Sequence, residues 1–215
     1  MCAVSLRLSD GSRFDRTEIG LGIHSERLFT MSRELLSESG LGFDDIEALL
    51  FNGGPGSYTG LRIGLSAVLG LSFGRDIPVF AADTLASYAA CVDEPTGTTI
   101  HAVLDARRRH VYHRAFSVSD GVLVPKSETE VVEIASLPER SKPRDVLIGT
   151  GTQRIPEDIL SQFTVLDETH ISARGILSLY DQSRKSGHST LLNRVAPEQF
   201  EPYYYAAGNV QVHRK

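Results

Sequence analysis

Apolar and polar residues alternate from Ala3 to Leu8 and again from Arg13 to Ile19, on either side of Asp10-Gly11, a dipeptide that favours a tight hairpin turn. Two antiparallel strands therefore open the chain. From Ser25 to Ser39 the period changes, with Leu28, Met31, Leu35 and Leu36 on one helical face and Gly40 behind them as a stop. The continuous apolar run Ala48-Leu49-Leu50-Phe51 reads as a buried strand. Leu61, Leu65, Val68 and Leu71 then recur at helical spacing in a segment that runs to about Gly74. A second buried strand, Ile77 to Ala82, leads into a helix from Thr84 to Cys91 with Asp83 as its cap. Strand, helix, strand, helix predicts a sheet with parallel members.

The apolar pattern breaks at Asp93-Glu94-Pro95-Thr96-Gly97-Thr98, which reads as a linker. Three parts follow from it: an N-terminal α/β lobe over residues 1–96, a second α/β lobe over residues 97–192, and an irregular tail over residues 193–215. In the second lobe Ile100 to Leu104 and Val111 to Val118 read as strands, Asp120-Gly121 as a hairpin turn, and Val146 to Ile148 as a strand ending at Gly149. Helices are expected at Pro156 to Gln162 and at Ser172 to Arg184. The tail carries Pro197, Pro202 and three successive tyrosines, Tyr203 to Tyr205, and is expected to lie on the body.

The glycine-rich stretch from Gly53 to Gly64 occupies a strand-to-helix turn, which aims amide N–H groups and the positive end of a helix dipole outward. A phosphate-binding loop needs Lys and then Ser or Thr directly after its last glycine, whereas Leu61 follows Gly60. The same glycines also suit a tight turn with close packing. Within a helix, Gly60, Gly64, Gly70 and Gly74 would each cost about 1 kcal/mol relative to alanine. Small residues four apart let a second helix approach, within the chain or between chains, and the Ser25 to Ser39 helix is the nearest candidate.

Composition narrows the chemistry. With 41% hydrophobic residues, 215 residues can bury a sizeable core. A net charge of -5 argues against broad unaided binding to nucleic acid, so any RNA would be held chiefly by a partner. Cys2 and Cys91 form no paired spacing, and no apolar run reaches the roughly eighteen residues of a membrane span, so a cytoplasmic, unanchored protein is expected. His110 and His113 point to opposite faces of a strand and cannot chelate one ion. Ser57, Tyr58 and Thr59 have no histidine with an orienting carboxylate nearby in sequence, which argues against a nucleophilic triad. At Asp105-Ala106-Arg107-Arg108-Arg109 two readings stand: a solvated turn in which Asp105 pairs an arginine, or a seat for phosphate or an acidic surface.

The run Gly54-Pro55-Gly56-Ser57-Tyr58-Thr59-Gly60-Leu61-Arg62-Ile63-Gly64 resembles the signature of the TsaB (YeaZ) family. Similar features recur in the family's order at His24-Ser25-Glu26-Arg27-Leu28, Asp105-Ala106-Arg107-Arg108, Ser172-Ala173-Arg174-Gly175 and Glu201-Pro202-Tyr203-Tyr204. The resemblance implies an actin-like ATPase (ASKHA) fold of two α/β lobes, in a subunit that performs no chemistry itself. It implies a heterodimer with the paralogue TsaD, formed through the first two helices, and the ATPase TsaE as third protein. TsaD carries the metal and transfers the threonylcarbamoyl group to adenosine beside the tRNA anticodon. Where the paralogue's metal histidines lie, this sequence reads Asp83-Thr84-Leu85-Ala86-Ser87-Tyr88.

The family pattern also has a short apolar strand, central in the sheet, ahead of the segment that matches Cys2 to Leu8. This sequence starts after it, so a first lobe lacking that strand and its phosphate loop is expected, without nucleotide hydrolysis of its own. Expected of this chain are no catalytic, cofactor-binding or metal-binding residues, with ATP or ADP at most at the interface of a complex. The expected partner interface is Leu28, Met31, Leu35, Gly60, Arg62, Gly64, Val68 and Leu71. The rival readings are a small-molecule kinase of the same superfamily and a homodimer with a role apart from RNA.

Overall fold

The computed structural model describes residues 1–20, 24–93, 95–186, 191–206 and 210–211. Glu94 of the expected linker, and residues 207–209 and 212–215 of the expected tail, lie outside the described residues.

The alternating N-terminal segments pair as β1 (Cys2–Arg7) and β2 (Arg13–Glu18), antiparallel, with Gly11 at φ 91° in their turn. Helix α1 (His24–Ser39) packs on this hairpin and buries Met31, Leu35 and Leu36. It ends as a left-handed glycine cap should: Gly40 is at φ 74°, and the Leu41 amide donates back to the Leu36 carbonyl at 2.9 Å. Strand β3 (Leu49–Gly54) runs three residues beyond the expected end, through Asn52, Gly53 and Gly54. Helix α2 (Tyr58–Ser72) starts where the Ser57 hydroxyl accepts from the Gly60 amide. Because α2 stops at Ser72, Gly74 at φ 70° follows the helix and serves as a stop, not as an interior glycine.

Strand β4 (Val79–Asp83) lies parallel to β3 and passes directly into α3 (Thr84–Ala89), all of which is buried. The second sheet is built on β5 (Thr99–Asp105) and β6 (His110–Ser119), antiparallel, with Asp120 and Gly121 both at positive φ in the turn to β7 (Val122–Pro125). Strand β8 (Glu130–Glu133) pairs with the other end of β6. Strand β9 (Val146–Ile148) lies parallel to β5, and after the single turn of α4 (Glu157–Leu160), β10 (Thr164–Leu166) adds parallel to β9. The order is β10-β9-β5-β6-β7. Neither β8 nor β10 is expected from the sequence, since three or four residues hold too little alternation to stand out.

The chain then comes back to the first lobe. Helix α5 (Arg174–Ser186) packs on α3 and on β1 and β3, and β11 (Leu192–Val195) joins β4 antiparallel. A backbone-close contact holds α5 there, for a Cβ on Gly175 would overlap the Ser87 carbonyl oxygen. Helix α5 and the start of β11 therefore pack with the N-terminal elements, although the sequence assigns residues 97–192 to the second lobe. The expected irregular tail needs the same correction: Asn193, Arg194 and Val195 belong to β11, Phe200 packs edge-on against Phe51 at 5.2 Å, and the Tyr203 amide donates to the Gly53 carbonyl at 2.7 Å. A short hairpin of β12 (Tyr205–Ala206) and β13 (Val210–Gln211) follows.

One core cluster joins the two sheets through Ala82, Leu85, Ile100, Phe116, Ile176 and Leu179. A second cluster, including Val103, Leu147 and Phe163, lies within the β5 sheet's lobe, and a third, Phe51, Val68, Val79 and Ala81, lies beneath α2. In the first lobe β1 and β3 are not hydrogen-bonded to each other, so a two-stranded and a three-stranded sheet stand side by side.

Candidate functional site

The glycine turn is packed from within. Gly54 is at φ 128°, and a Cβ there would stand 2.5 Å from the Tyr203 carbonyl oxygen, while one on Gly53 would stand 2.7 Å from the Phe200 ring. Here glycine is required by the returning tail, which is the tight-turn reading. At the start of α2 the Arg62 guanidinium lies 4.2 Å over the Tyr58 ring, and Tyr58 leans on Tyr204 at 5.5 Å.

The expected interface residues divide by burial. Met31, Leu35 and Val68 are buried inside the chain itself, so they cannot form a partner surface as expected. The physical reason is that α1 and α2 each have an apolar face to remove from water, and the chain's own sheets cover those faces first. Leu28, Gly60, Gly64 and Leu71 are half-buried and Arg62 is exposed. A Cβ on Gly64 or Gly70 would meet nothing within 4 Å, so α1 does not sit on the glycines of α2. The largest exposed apolar groups of this region, missed by the sequence reading, are Phe73 at 85%, Tyr58 at 49% and Phe29 at 45%. Of these only Phe29 carried a signal, since it falls off the apolar face of α1, whereas Tyr58 lies on the apolar stripe of α2 and Phe73 just beyond the end of that helix.

At the head of α3, Asp83 has two tasks. Its Oδ1 accepts from the Ala86 amide at 2.9 Å as the helix cap, and its Oδ2 accepts from the Arg114 guanidinium at 2.9 Å and the Thr129 hydroxyl at 3.0 Å. Asp83 and Arg114 are both buried, so this pair ties the end of β4 to the middle of β6.

A second buried polar chain runs through the other lobe. His101 Nδ1 and His113 Nε2 lie 2.9 Å apart, and His101 Nε2 lies 3.1 Å from an Asp145 carboxylate oxygen. His113 on β6 is opposite Val103, two residues along β5 from His101, which puts both rings diagonally on one face. The sequence reading considered only His110 and His113 as a pair and missed this one. Burial pushes His113 down to about 3, with the neighbouring His101 and Arg140 adding to the effect. Burial also lowers His101, against an opposing pull from Asp145.

In the arginine turn, Asp105 accepts from the Arg107 backbone amide at 2.7 Å and closes the turn. The expected Asp105–arginine pair is therefore replaced by a backbone bond, which short Asp side chains make readily at turns. Arg107, Arg108 and Arg109 are all exposed there.

A cleft of about 1130 Å³ is lined by residues of β1, β3, α1 and α2 among others. Asn52 Oδ1, Thr84 Oγ1 and Tyr204 OH are buried without a hydrogen-bond partner, and all three residues line it. Thr84→Val keeps the shape and removes one orphaned hydroxyl, so it is expected to stabilise the protein by about 1 kcal/mol in urea titrations.

The TsaD family, tRNA N6-adenosine threonylcarbamoyltransferase, matches residues 21–159. The TsaB protein of Escherichia coli, "tRNA threonylcarbamoyladenosine biosynthesis protein TsaB", is 30% identical over 211 residues, covering 94% of this chain and 89% of its own. The chain belongs to the TsaB family. Its Haemophilus influenzae relative of the same name is 38% identical over 112 residues, 52% of this chain and 47% of that one. Among solved structures, YeaZ from Pseudomonas aeruginosa superposes with a TM-score of 0.75 at 28% identity, covering 94% of this chain and 93% of that chain. Another, from the same organism, is described by its similarity to the peptidase YeaZ, with a TM-score of 0.72 at 29% identity over 94% of each chain. The actin-like α/β fold implied by the TsaB resemblance agrees with these relatives and with the two mixed sheets.

Proposed function

We propose that this TsaB-family chain is a noncatalytic cytoplasmic subunit in the formation of threonylcarbamoyladenosine in tRNA, and that it binds a TsaD-like transferase through the outer surface of α1 and α2. The observation that carries the partner assignment is on α2. Gly70 leaves open space where a neighbouring backbone can lie close, and Phe73, one turn further on the same side, is 85% exposed. An open glycine inside a helix costs stability with no return inside the chain. A partner helix supplies that return by close packing.

The noncatalytic part rests on α3. At the place where the resemblance puts the transferase's metal ligands, this chain has a fully buried helix whose leading carboxylate, Asp83, is already held by Arg114 and Thr129. With a net charge of -5, contact with tRNA is assigned to the transferase. The kinase alternative has no support from the relatives named above.

Gly70→Leu and Phe73→Asp test the reading, because both positions are exposed and neither change disturbs the core. Each is expected to weaken co-purification with the TsaD-like paralogue by about tenfold or more, with the thermal midpoint held within a few degrees. Unchanged association of both variants would reject the surface.

A further inference from the structure

The arginine turn between β5 and β6 is held more firmly than a solvated loop needs to be. Arg107 and Arg108 stand at φ 73° and 55°, a left-handed backbone that residues with side chains rarely adopt. Hydrogen bonds hold the turn in it. Besides the Asp105 bond to the Arg107 amide, the Arg107 carbonyl accepts from the His110 amide at 3.1 Å, the Arg108 carbonyl from the Arg154 guanidinium at 2.8 Å, and the Arg109 carbonyl from the Ile134 amide at 3.0 Å. Arg154 ends a 3-10 turn (Thr150–Arg154) that is fixed against β5 by close packing, for a Cβ on Gly149 would overlap the Val103 carbonyl oxygen. The arginines therefore stand on a rigid platform.

Their charge is uncompensated. Arg108, Arg109 and Arg154 are exposed, and among the described residues none of them pairs with a carboxylate, whereas the exposed Arg75, Arg140 and Arg174 elsewhere each do. Asp105 is turned to the Arg107 amide, and Glu133 stands opposite His110 across β6 and β8. Arg107 lines the cleft as well, but Arg108, Arg109 and Arg154 do not, so this seat lies outside it. Guanidinium forks match oxyanions that offer two acceptor oxygens each, phosphate above all.

We propose that Arg108, Arg109 and Arg154 bind backbone phosphates of RNA, as a second hold on the tRNA; this rests on the role in tRNA modification proposed above. The net charge of -5 keeps such a contact weak on its own, so the main hold stays with the transferase. What the turn adds is orientation, since phosphate contacts fix the register of a bound nucleic acid and read no sequence. RNA is favoured over an acidic protein segment because it is the polyanion that the assembly has to hold in any case.

The probe is labelled bulk tRNA, added to the full chain alone and to its mixture with the TsaD-like paralogue, with fluorescence anisotropy read between about 50 and 200 mM salt. Arg108→Gln together with Arg109→Gln is expected to weaken binding about tenfold and to reduce the slope of log K against log salt by about 1.5–2. Arg108→Lys with Arg109→Lys keeps both charges and is expected to keep the slope. A slope that the glutamine pair leaves unchanged in both samples, or no binding in either, overturns the proposal. So does a slope that the lysine pair loses as fully as the glutamine pair. Polyglutamate that binds the chain as tightly as tRNA, and is lost in the same variants, makes an acidic protein the occupant and overturns it too. Co-purification with the paralogue is expected to be unchanged by the glutamine pair, and the chain alone gives the salt slope, so failure of the α2 surface is read separately.

Discussion

Asp83→Ala is expected to destabilise the protein by about 3–5 kcal/mol, seen as a lowered urea midpoint, because it leaves the Arg114 guanidinium buried without its counter-charge. Arg114 and Asp83 are each 8% exposed, so water cannot replace the lost carboxylate. Arg114 would keep the Ser127 carbonyl at 3.0 Å, but Glu128 lies 3.9 Å away and is itself exposed. The same change removes the cap of α3 and the acceptor of Thr129. Asp83→Asn retains an oxygen for the cap and is expected to lose less. The double replacement Asp83→Ala with Arg114→Met is expected to recover part of the loss, since the stranded charge is gone. A double variant no better than Asp83→Ala alone would show that capping, not charge, dominates.

Acidification is expected to weaken the protein between pH 6.5 and about 3, through the buried histidine pair. The folded state holds His113 neutral, at about 3, while in the unfolded chain it protonates near its ordinary value of 6.5. The unfolded state therefore binds more protons in this window, and stability rises with pH across it. The contribution is complete above 6.5 and is lost as the pH falls, by about 1.4 kcal/mol per pH unit for one proton. His101, lowered mainly by its burial, adds to the loss in the same direction. Denaturation at pH 7 and pH 5 is expected to differ by about 2 kcal/mol from His113 alone. His113→Gln should flatten this dependence, and a profile unchanged by that substitution would assign the acid response elsewhere.

Much of the first lobe was legible because its signals are local. The Asp10-Gly11 turn, the Gly40 stop, the Ser57 and Asp83 caps, and the change of period from two to 3.6 all lie within a few residues of what they control. The glycine signature and its companions were also enough to reach the family. The interface was less legible: helical spacing located the apolar faces of α1 and α2 without saying whether sheet or partner covers them. Burial of Met31, Leu35 and Val68 within the chain decides that, and leaves Gly70 and Phe73 facing outward.

By itself, the sequence determined the strands and helices of the first ninety residues, the parallel arrangement of β3 and β4, and membership of the TsaB family, since period, caps and turn residues are properties of neighbouring positions. Tertiary structure alone decided the contacts between distant ones. It joined His101 to His113 across a strand pair, brought Asp83 to Arg114, and folded α5 and β11 back onto the first lobe. Pairing partners many residues away leave no periodic trace in either segment, because which edge a strand meets depends on where the rest of the chain has packed.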